Sequence, residues 1–264
     1  MGAITVNTLA ERRRAGERFA CLTAYDAAFA RLLDEQGVEV ILVGDSVGMV
    51  VQGHATTLPV TLEDMVYHTA AVARGTQQAL IMADLPFLGD ADPATALAQS
   101  GALMRAGAQM IKIECGTSQI PVVERLVDAG IPVCAHLGLT PQAVHRMGGY
   151  RVQGRDAATA AELESLAGRL EQAGAQALLL EGVTEALATA VARAADVPVI
   201  GIGASPACDG QVLVIADVIG LTPNPPRFAR DFLAEGGSLA GAVRAYVGAV
   251  REGRFPESGV HTFL

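Results

Sequence analysis

The chain has 264 residues, 51 % of them hydrophobic and only 4 % aromatic, with a formal charge of 19 − 28 = −9. That acidic balance excludes a general attraction to nucleic-acid backbones or anionic membranes, while leaving room for a local basic pocket. A core of Val, Ile, Leu and Ala is the usual filling of parallel strands covered by helices, and without a Pro-, Gly- or Ser-rich linker the chain reads as one domain over residues 1–264.

The N-terminal MGAITVNTLAERRR lacks the apolar stretch of a signal sequence, and no apolar run reaches the ~20 residues of a membrane span. FACLTAYD supplies a first strand, expected at 19–25. LLDEQG reads as a helix end capped by Gly37, after which VEVILVGDS forms a strand over 38–45 that stops at Asp45. The long connection GMVVQGHATTLPVT follows, and TLED then opens a helix with Thr61 as N-cap and His68 as a structural residue. A third strand over 79–84 ends at Asp84. Behind Gly107, the fourth strand at 109–114 carries Lys112 and Glu114. Behind Gly130, the fifth at 131–137 ends with His136, and GLTPQAVHRMGGYRVQGRD makes a second long connection. The sixth strand, 177–182, follows Gly174 and reaches Glu181. The seventh, 197–203, runs into GIGAS, and the eighth is expected at 211–218. His54, His145 and His261 read as loop residues. Cys21, Cys115, Cys134 and Cys208 stand far apart without a C-x-x-C pair, which suits reduced thiols in a soluble, cytoplasmic enzyme.

Strands and helices alternating over nearly the whole chain point to an α/β fold, a single (β/α)8 TIM barrel, with an open doubly wound sheet as the alternative. Barrel geometry accounts for the repeated acids. Active sites lie at the C-terminal ends of the strands, so Asp45, Asp84, Glu114 and Glu181 all stand at the same mouth. Neighbouring strands are about 4.8 Å apart, and Asp45, Asp84 and Glu114 would repel unless a cation joined them. Oxygen ligands without His or Cys favour Mg²⁺, which keeps several waters and allows Glu114 to act through one. Period-2 alternation turns Lys112 inward with Glu114 and turns Ile111 and Ile113 toward the helices. Glu181, on a strand opposite the second, stands where a general base belongs. The GIGAS turn followed by DGQ reads as a tight turn, with a phosphate-holding loop as the alternative, and the two long connections at the catalytic face read as lids.

Taken together, TAYD (23–26), VGDS (43–46), VQGHATTLPVT (51–61), ADLPF (83–87), KIE (112–114), HLGLTPQ (136–142), GGYRVQGR (148–155), the LEGV stretch with Glu181 and DGQVLV (209–214) resemble the ketopantoate hydroxymethyltransferase family. The likeness runs from about Arg18 to the C-terminal FPESGVHTF. It implies a homo-oligomeric barrel, usually a decamer, that moves a one-carbon unit from 5,10-methylenetetrahydrofolate to 3-methyl-2-oxobutanoate, giving 2-dehydropantoate for pantothenate synthesis. On matching positions it implies Mg²⁺ at Asp45, Asp84 and Glu114. It implies a keto acid held at Asp45, Ser46, Asp84, Lys112 and His136, and Glu181 as the base. The expected partners are this small keto acid and the folate, with Arg151 and Arg155 as candidates to meet the folate's glutamate tail. Ser205 stands where the family pattern leads one to expect glycine.

Overall fold

In a computed structural model that describes residues 2–264, the eight apolar runs pair in parallel, in sequence order, and close on themselves through contact of the first with the last. The strands are β1 (Phe19–Thr23), β2 (Val40–Val43), β3 (Leu80–Asp84), β4 (Met110–Glu114), β5 (Val133–Gly138), β6 (Ala177–Glu181), β7 (Val199–Ile202) and β8 (Gly210–Leu213). Closure removes the open-sheet alternative. The helices in chain order are α1 (Val6–Ala15), α2 (Ala27–Glu35), α3 (Val47–Val50), α4 (Leu62–Gly75), α5 (Pro93–Ala106), α6 (Ile120–Asp128), α7 (Val144–Met147), α8 (Ala157–Gln172), α9 (Glu185–Ala194), α10 (Ile215–Val218), α11 (Leu233–Gly236) and α12 (Leu239–Arg251).

The expected eighth strand overruns. Pairing stops at Leu213, and Ile215–Val218 coils into α10, whose first amide donates to Thr23 Oγ1 at the top of β1 (3.0 Å). An unbroken apolar run hid this change of backbone state, because a buried short helix and a buried strand look alike over a few residues. The four cap glycines, Gly37, Gly107, Gly130 and Gly174, all have positive φ, as strand entry from a helix end requires. Thr61 caps α4 and forms a reciprocal box with Asp64. His68 is structural: its Nδ1 lies 2.6 Å from the carbonyl oxygen of Tyr25. His145 falls within α7 rather than in a loop.

The bottom of the barrel is held by a device that repeats on alternate strands. The residue just before each even strand turns its side chain to accept an amide from the preceding odd strand. Glu39 takes Ala20 N–H (2.8 Å), Gln109 takes Ile81 N–H (3.0 Å), Gln176 takes Val133 N–H (2.8 Å) and Asp209 takes Val199 N–H (2.8 Å). Each acceptor satisfies a donor that the barrel's shear would leave without a carbonyl, and an orphaned buried amide costs about 1–3 kcal/mol. Glu39 is almost wholly buried, and its other oxygen meets Arg251 Nε at 3.0 Å and Arg12 at 3.3 Å. It therefore ties α1 and α12 to the barrel floor. Structural polar groups lie at this end, which leaves the other free for chemistry.

Removal of this tie should be felt across the fold. Glu39→Ala orphans the Ala20 amide and frees two guanidinium groups, so we expect a loss of about 2–4 kcal/mol in chemical denaturation. A midpoint unchanged from that of the unmodified protein would contradict the role given to Glu39.

Candidate active site

The opposite end of the barrel opens into a cavity of about 450 Å³. Register places its polar groups. Asp84 pairs laterally with Lys112, Glu114 with His136, and Gly138 with Glu181, so β3 to β6 deliver five functional side chains to adjacent places at the rim. Asp45 and Ser46 arrive one and two residues after Gly44, beyond the end of β2. A Cβ at Gly44 would meet Ser46 Oγ at 2.8 Å and Asp84 Oδ2 at 3.5 Å, so a side chain there would push the Ser46 hydroxyl out of place in the site.

The contacts form one network. Lys112 Nζ lies 3.3 Å from Asp84 Oδ2 and 3.3 Å from His136 Nδ1. Asp84 Oδ2 also accepts the Asp45 amide at 3.0 Å. An ammonium can only donate, so His136 Nδ1 is an acceptor and the proton of the neutral ring sits on Nε2. Nε2 faces Glu181 Oε2 at 3.3 Å, without the alignment of a hydrogen bond. Ser46 Oγ is held at 2.8 Å by the hydroxyl of Tyr25, whose carbonyl meets His68. All the expected site residues line this one cavity.

Burial dominates the electrostatics. It pushes Asp84 up to about 7 against the opposing pull of Lys112, with Asp45 adding to the rise. Burial likewise raises Glu181 to about 7, again opposed by Lys112. Glu114 is raised well above the usual carboxylate range, and burial and Lys112 together hold His136 neutral. Lys112 stays charged because the surrounding acids outweigh its desolvation.

The donor set suits a hard divalent cation. Asp84 Oδ1 is buried without a hydrogen-bond partner, an unusual state for a carboxylate oxygen and one that a metal would relieve. Glu114 is turned elsewhere: both its oxygens accept the backbone amide of Gln142, at 3.2 and 3.1 Å. Among the described residues no group of three or more His, Cys, Asp or Glu side chains is gathered to hold an ion. The side chains as they stand therefore offer Asp45 and Asp84 for direct ligation, with Glu114 set back by Gln142.

Sequence reasoning missed Gln142. Its amide nitrogen donates to Asp45 Oδ2 and to the Leu85 carbonyl, both at 2.9 Å, so one residue of the fifth strand's loop clamps the tops of β2, β3 and β4. Its only sequence signal was a polar residue after Pro141 in HLGLTPQ. Tyr25, the support of Ser46, was quoted within TAYD but given no role.

The two long connections reach the cavity as expected. Met49 and Val50 come from the first and Tyr150 from the second, and Tyr150 Oη stands 3.8 Å from Met49 Sδ. The GIGAS turn is a tight turn: a side chain at Gly203 would strike the Phe228 ring at 2.6 Å, so the ring fills the space an anion would need. Ser205 is fully buried there, bonded through Oγ to Thr189 at 2.8 Å and to the Ala207 amide at 3.1 Å. Arg155 lines a separate depression with Thr184 and Leu264.

Comparison with known proteins agrees with the layout. The sequence model of the ketopantoate hydroxymethyltransferase family matches residues 3–258. A 3-methyl-2-oxobutanoate hydroxymethyltransferase of Xylella fastidiosa (strain M23) is 57 % identical over 255 residues, covering 96 % of this chain and 94 % of that protein. One from Halorhodospira halophila is 55 % identical over 256 residues, covering 97 % and 93 %. Among solved structures, a putative phosphonomutase from Burkholderia cenocepacia J2315 superposes with a TM-score of 0.63 at 17 % identity, covering 79 % of this chain and 91 % of that one. A phosphonopyruvate hydrolase superposes with a TM-score of 0.61 at 17 % identity, covering 94 % and 85 %. These two are likenesses of fold.

The network carries a pH-dependent prediction for metal-free protein. In Lys112→Met the buried carboxylates lose their one counter-charge, so their folded pKa values rise further above the unfolded ones. Below those values the acids are protonated and the loss is small. Above them a bare buried charge must be kept, so destabilisation grows with pH and reaches about 3–5 kcal/mol. Denaturation in chelator at pH 5.5 and 8.5 measures this, and an equal loss at both would contradict it.

Proposed function

Because the chain belongs to the ketopantoate hydroxymethyltransferase family, we propose that it transfers a hydroxymethyl unit from 5,10-methylenetetrahydrofolate to 3-methyl-2-oxobutanoate, giving 2-dehydropantoate in the pantothenate pathway. The observation that carries the mechanism is Glu181: a mostly buried carboxylate held near neutrality, facing a Lys112–Asp84 pair in the same cavity. A general base works best with a pKa near the working pH.

In this reading Lys112, Ser46 and the Asp45 backbone region hold the carboxylate and keto oxygens of the substrate. Leu179, two residues before Glu181 and on the same inward face, meets its methyl groups. His136 Nε2 stands 3.3 Å from Glu181 Oε2, which leaves Oε1 as the oxygen to take the proton from C3. Asp45 and Asp84 would hold Mg²⁺, with Glu114 reaching it through water. When bound, Mg²⁺ would supply a Lewis acid for the negative charge that develops on the keto oxygen as C3 loses its proton. Lys112 adds a fixed positive charge at the same place without reorganising. Water breaks the two C–N bonds of the methylene bridge, so that tetrahydrofolate is released with hydrogen on both nitrogens and the one-carbon unit remains at the formaldehyde level. The C3 carbanion, delocalised onto the keto oxygen, attacks that carbon, and its oxygen takes up the proton removed from C3 to become the hydroxyl. The two long connections exclude bulk water from this step. The decameric assembly and the cytoplasmic setting expected from the sequence stand as parts of the same proposal.

The direct test combines the purified protein, both substrates and Mg²⁺. We expect formation of 2-dehydropantoate, its loss on treatment with chelator and its return with Mg²⁺. Asp84→Ala should lower turnover by at least 10²-fold. Undiminished turnover in rigorously metal-free protein would sink the metal assignment, and absence of product under all conditions would sink the function.

A further inference from the structure

The cavity is larger than a five-carbon keto acid needs: about 450 Å³ lies within the range that encloses a drug-sized ligand. Its walls divide by chemistry. The arc from β2 to β6 carries the charged groups, whereas the remaining arc, from β7 through β8 to β1, presents Ile202, Val212, Val214 and Phe228. One charged group stands in this apolar half, Asp217 of α10. Thr222 donates to its Oδ1 at 2.5 Å, and among the described residues Oδ2 has no protein donor. Asn224 also lines the cavity.

A carboxylate with one open edge in an apolar slot calls for a flat ligand that brings N–H donors and little charge. Two adjacent N–H groups in one plane satisfy it best, because each hydrogen bond to an ionised acceptor is about twice as strong as a neutral one. Resting on the folate donor proposed above, we propose that Asp217 forms a subsite for the 2-amino-4-oxopyrimidine edge of the pterin ring, binding its ring N–H and 2-amino group together. The apolar walls cover the ring faces, and the Asn224 amide is placed to meet the 4-oxo group. Charge fixes the polarity of binding. Among the described residues Lys112 is the sole Lys or Arg lining the cavity and is already engaged by Asp84, so the glutamate tail finds no partner inside and leaves through the mouth. The reactive methylene, between pterin and tail, then lies over the keto acid.

Binding of two tail-free ligands separates this subsite from the function as a whole. The first is 6-methyltetrahydropterin. The second is the matching tetrahydrolumazine, in which an oxo group replaces the 2-amino group and turns an oxygen toward the carboxylate. Equilibrium dialysis with the unmodified protein should show the pterin bound at least tenfold more tightly than the lumazine. Asp217→Asn should weaken the pterin at least tenfold and erase that preference, with 3-methyl-2-oxobutanoate affinity held, while Thr222→Ala, which keeps the carboxylate, should retain the preference. Equal affinity for the two ligands in the unmodified protein, no pterin binding at all, or pterin binding unaltered in Asp217→Asn would each overturn the assignment. Parallel loss of keto acid and pterin in Asp217→Asn would also overturn it, by making the residue a fold element. Failure of turnover with methylenetetrahydrofolate would instead strike the proposed function, and the pterin preference reads independently of it.

Discussion

Lys112 faces Asp45, Asp84, Glu114 and Glu181 across a largely buried cavity floor, and the burial of one ammonium among four carboxylates is the condition on which the site depends. One ammonium cannot neutralise four carboxylates at low dielectric. Burial lifts Asp84 and Glu181 toward neutrality against the pull of Lys112, burial and Lys112 together keep His136 uncharged, and one carboxylate oxygen on Asp84 has nothing to bond. Each of these is a cost in the empty fold and a resource for chemistry. A raised carboxylate is a usable base, a neutral imidazole can present its N–H to that base, and an unpartnered oxygen is a ready metal ligand.

The barrel tolerates this because it separates stability from function along its axis. Glu39, Gln109, Gln176 and Asp209 satisfy strand amides at the floor, and Glu39 is matched by Arg12 and Arg251. At the mouth the acids are held by few and specific donors: the Asp45 amide on Asp84, and Gln142 on both Asp45 and Glu114. Gln142 matters because it comes from a different strand's loop. It fixes the spacing of acids that would otherwise spread apart.

Much of this was legible in the residues. Cap glycines Gly37, Gly107 and Gly174, each followed after seven or eight positions by an acid, located three of the strand ends, since the helix-to-strand step and the strand length are both set by local geometry. Alternation within MIKIE turned Lys112 and Glu114 to the same face, and both line the cavity. The illegible parts were those decided by long-range geometry. The end of β8 was lost because apolar character does not distinguish a strand from the short helix Ile215–Val218. Gln142 was lost because an amide side chain in a loop has no partner until three strand tops are brought together. The four floor acceptors have a signal, a polar residue just before an apolar run, but its meaning emerges only with closure. Asp217 looked like strand interior, and the helix that replaces that strand is what carries its carboxylate to the cavity wall.

The central claim is that Glu181 removes the C3 proton of the keto acid. Proton NMR of 3-methyl-2-oxobutanoate in deuterated water, with the enzyme and Mg²⁺ but without folate, follows that step alone. The account predicts enzyme-dependent exchange that strengthens as pH rises and Glu181 loses its proton, and that falls by roughly 10²-fold or more in Glu181→Gln with keto-acid binding retained. Exchange in Glu181→Gln as fast as in the unmodified enzyme would contradict it and move the base elsewhere in the cavity.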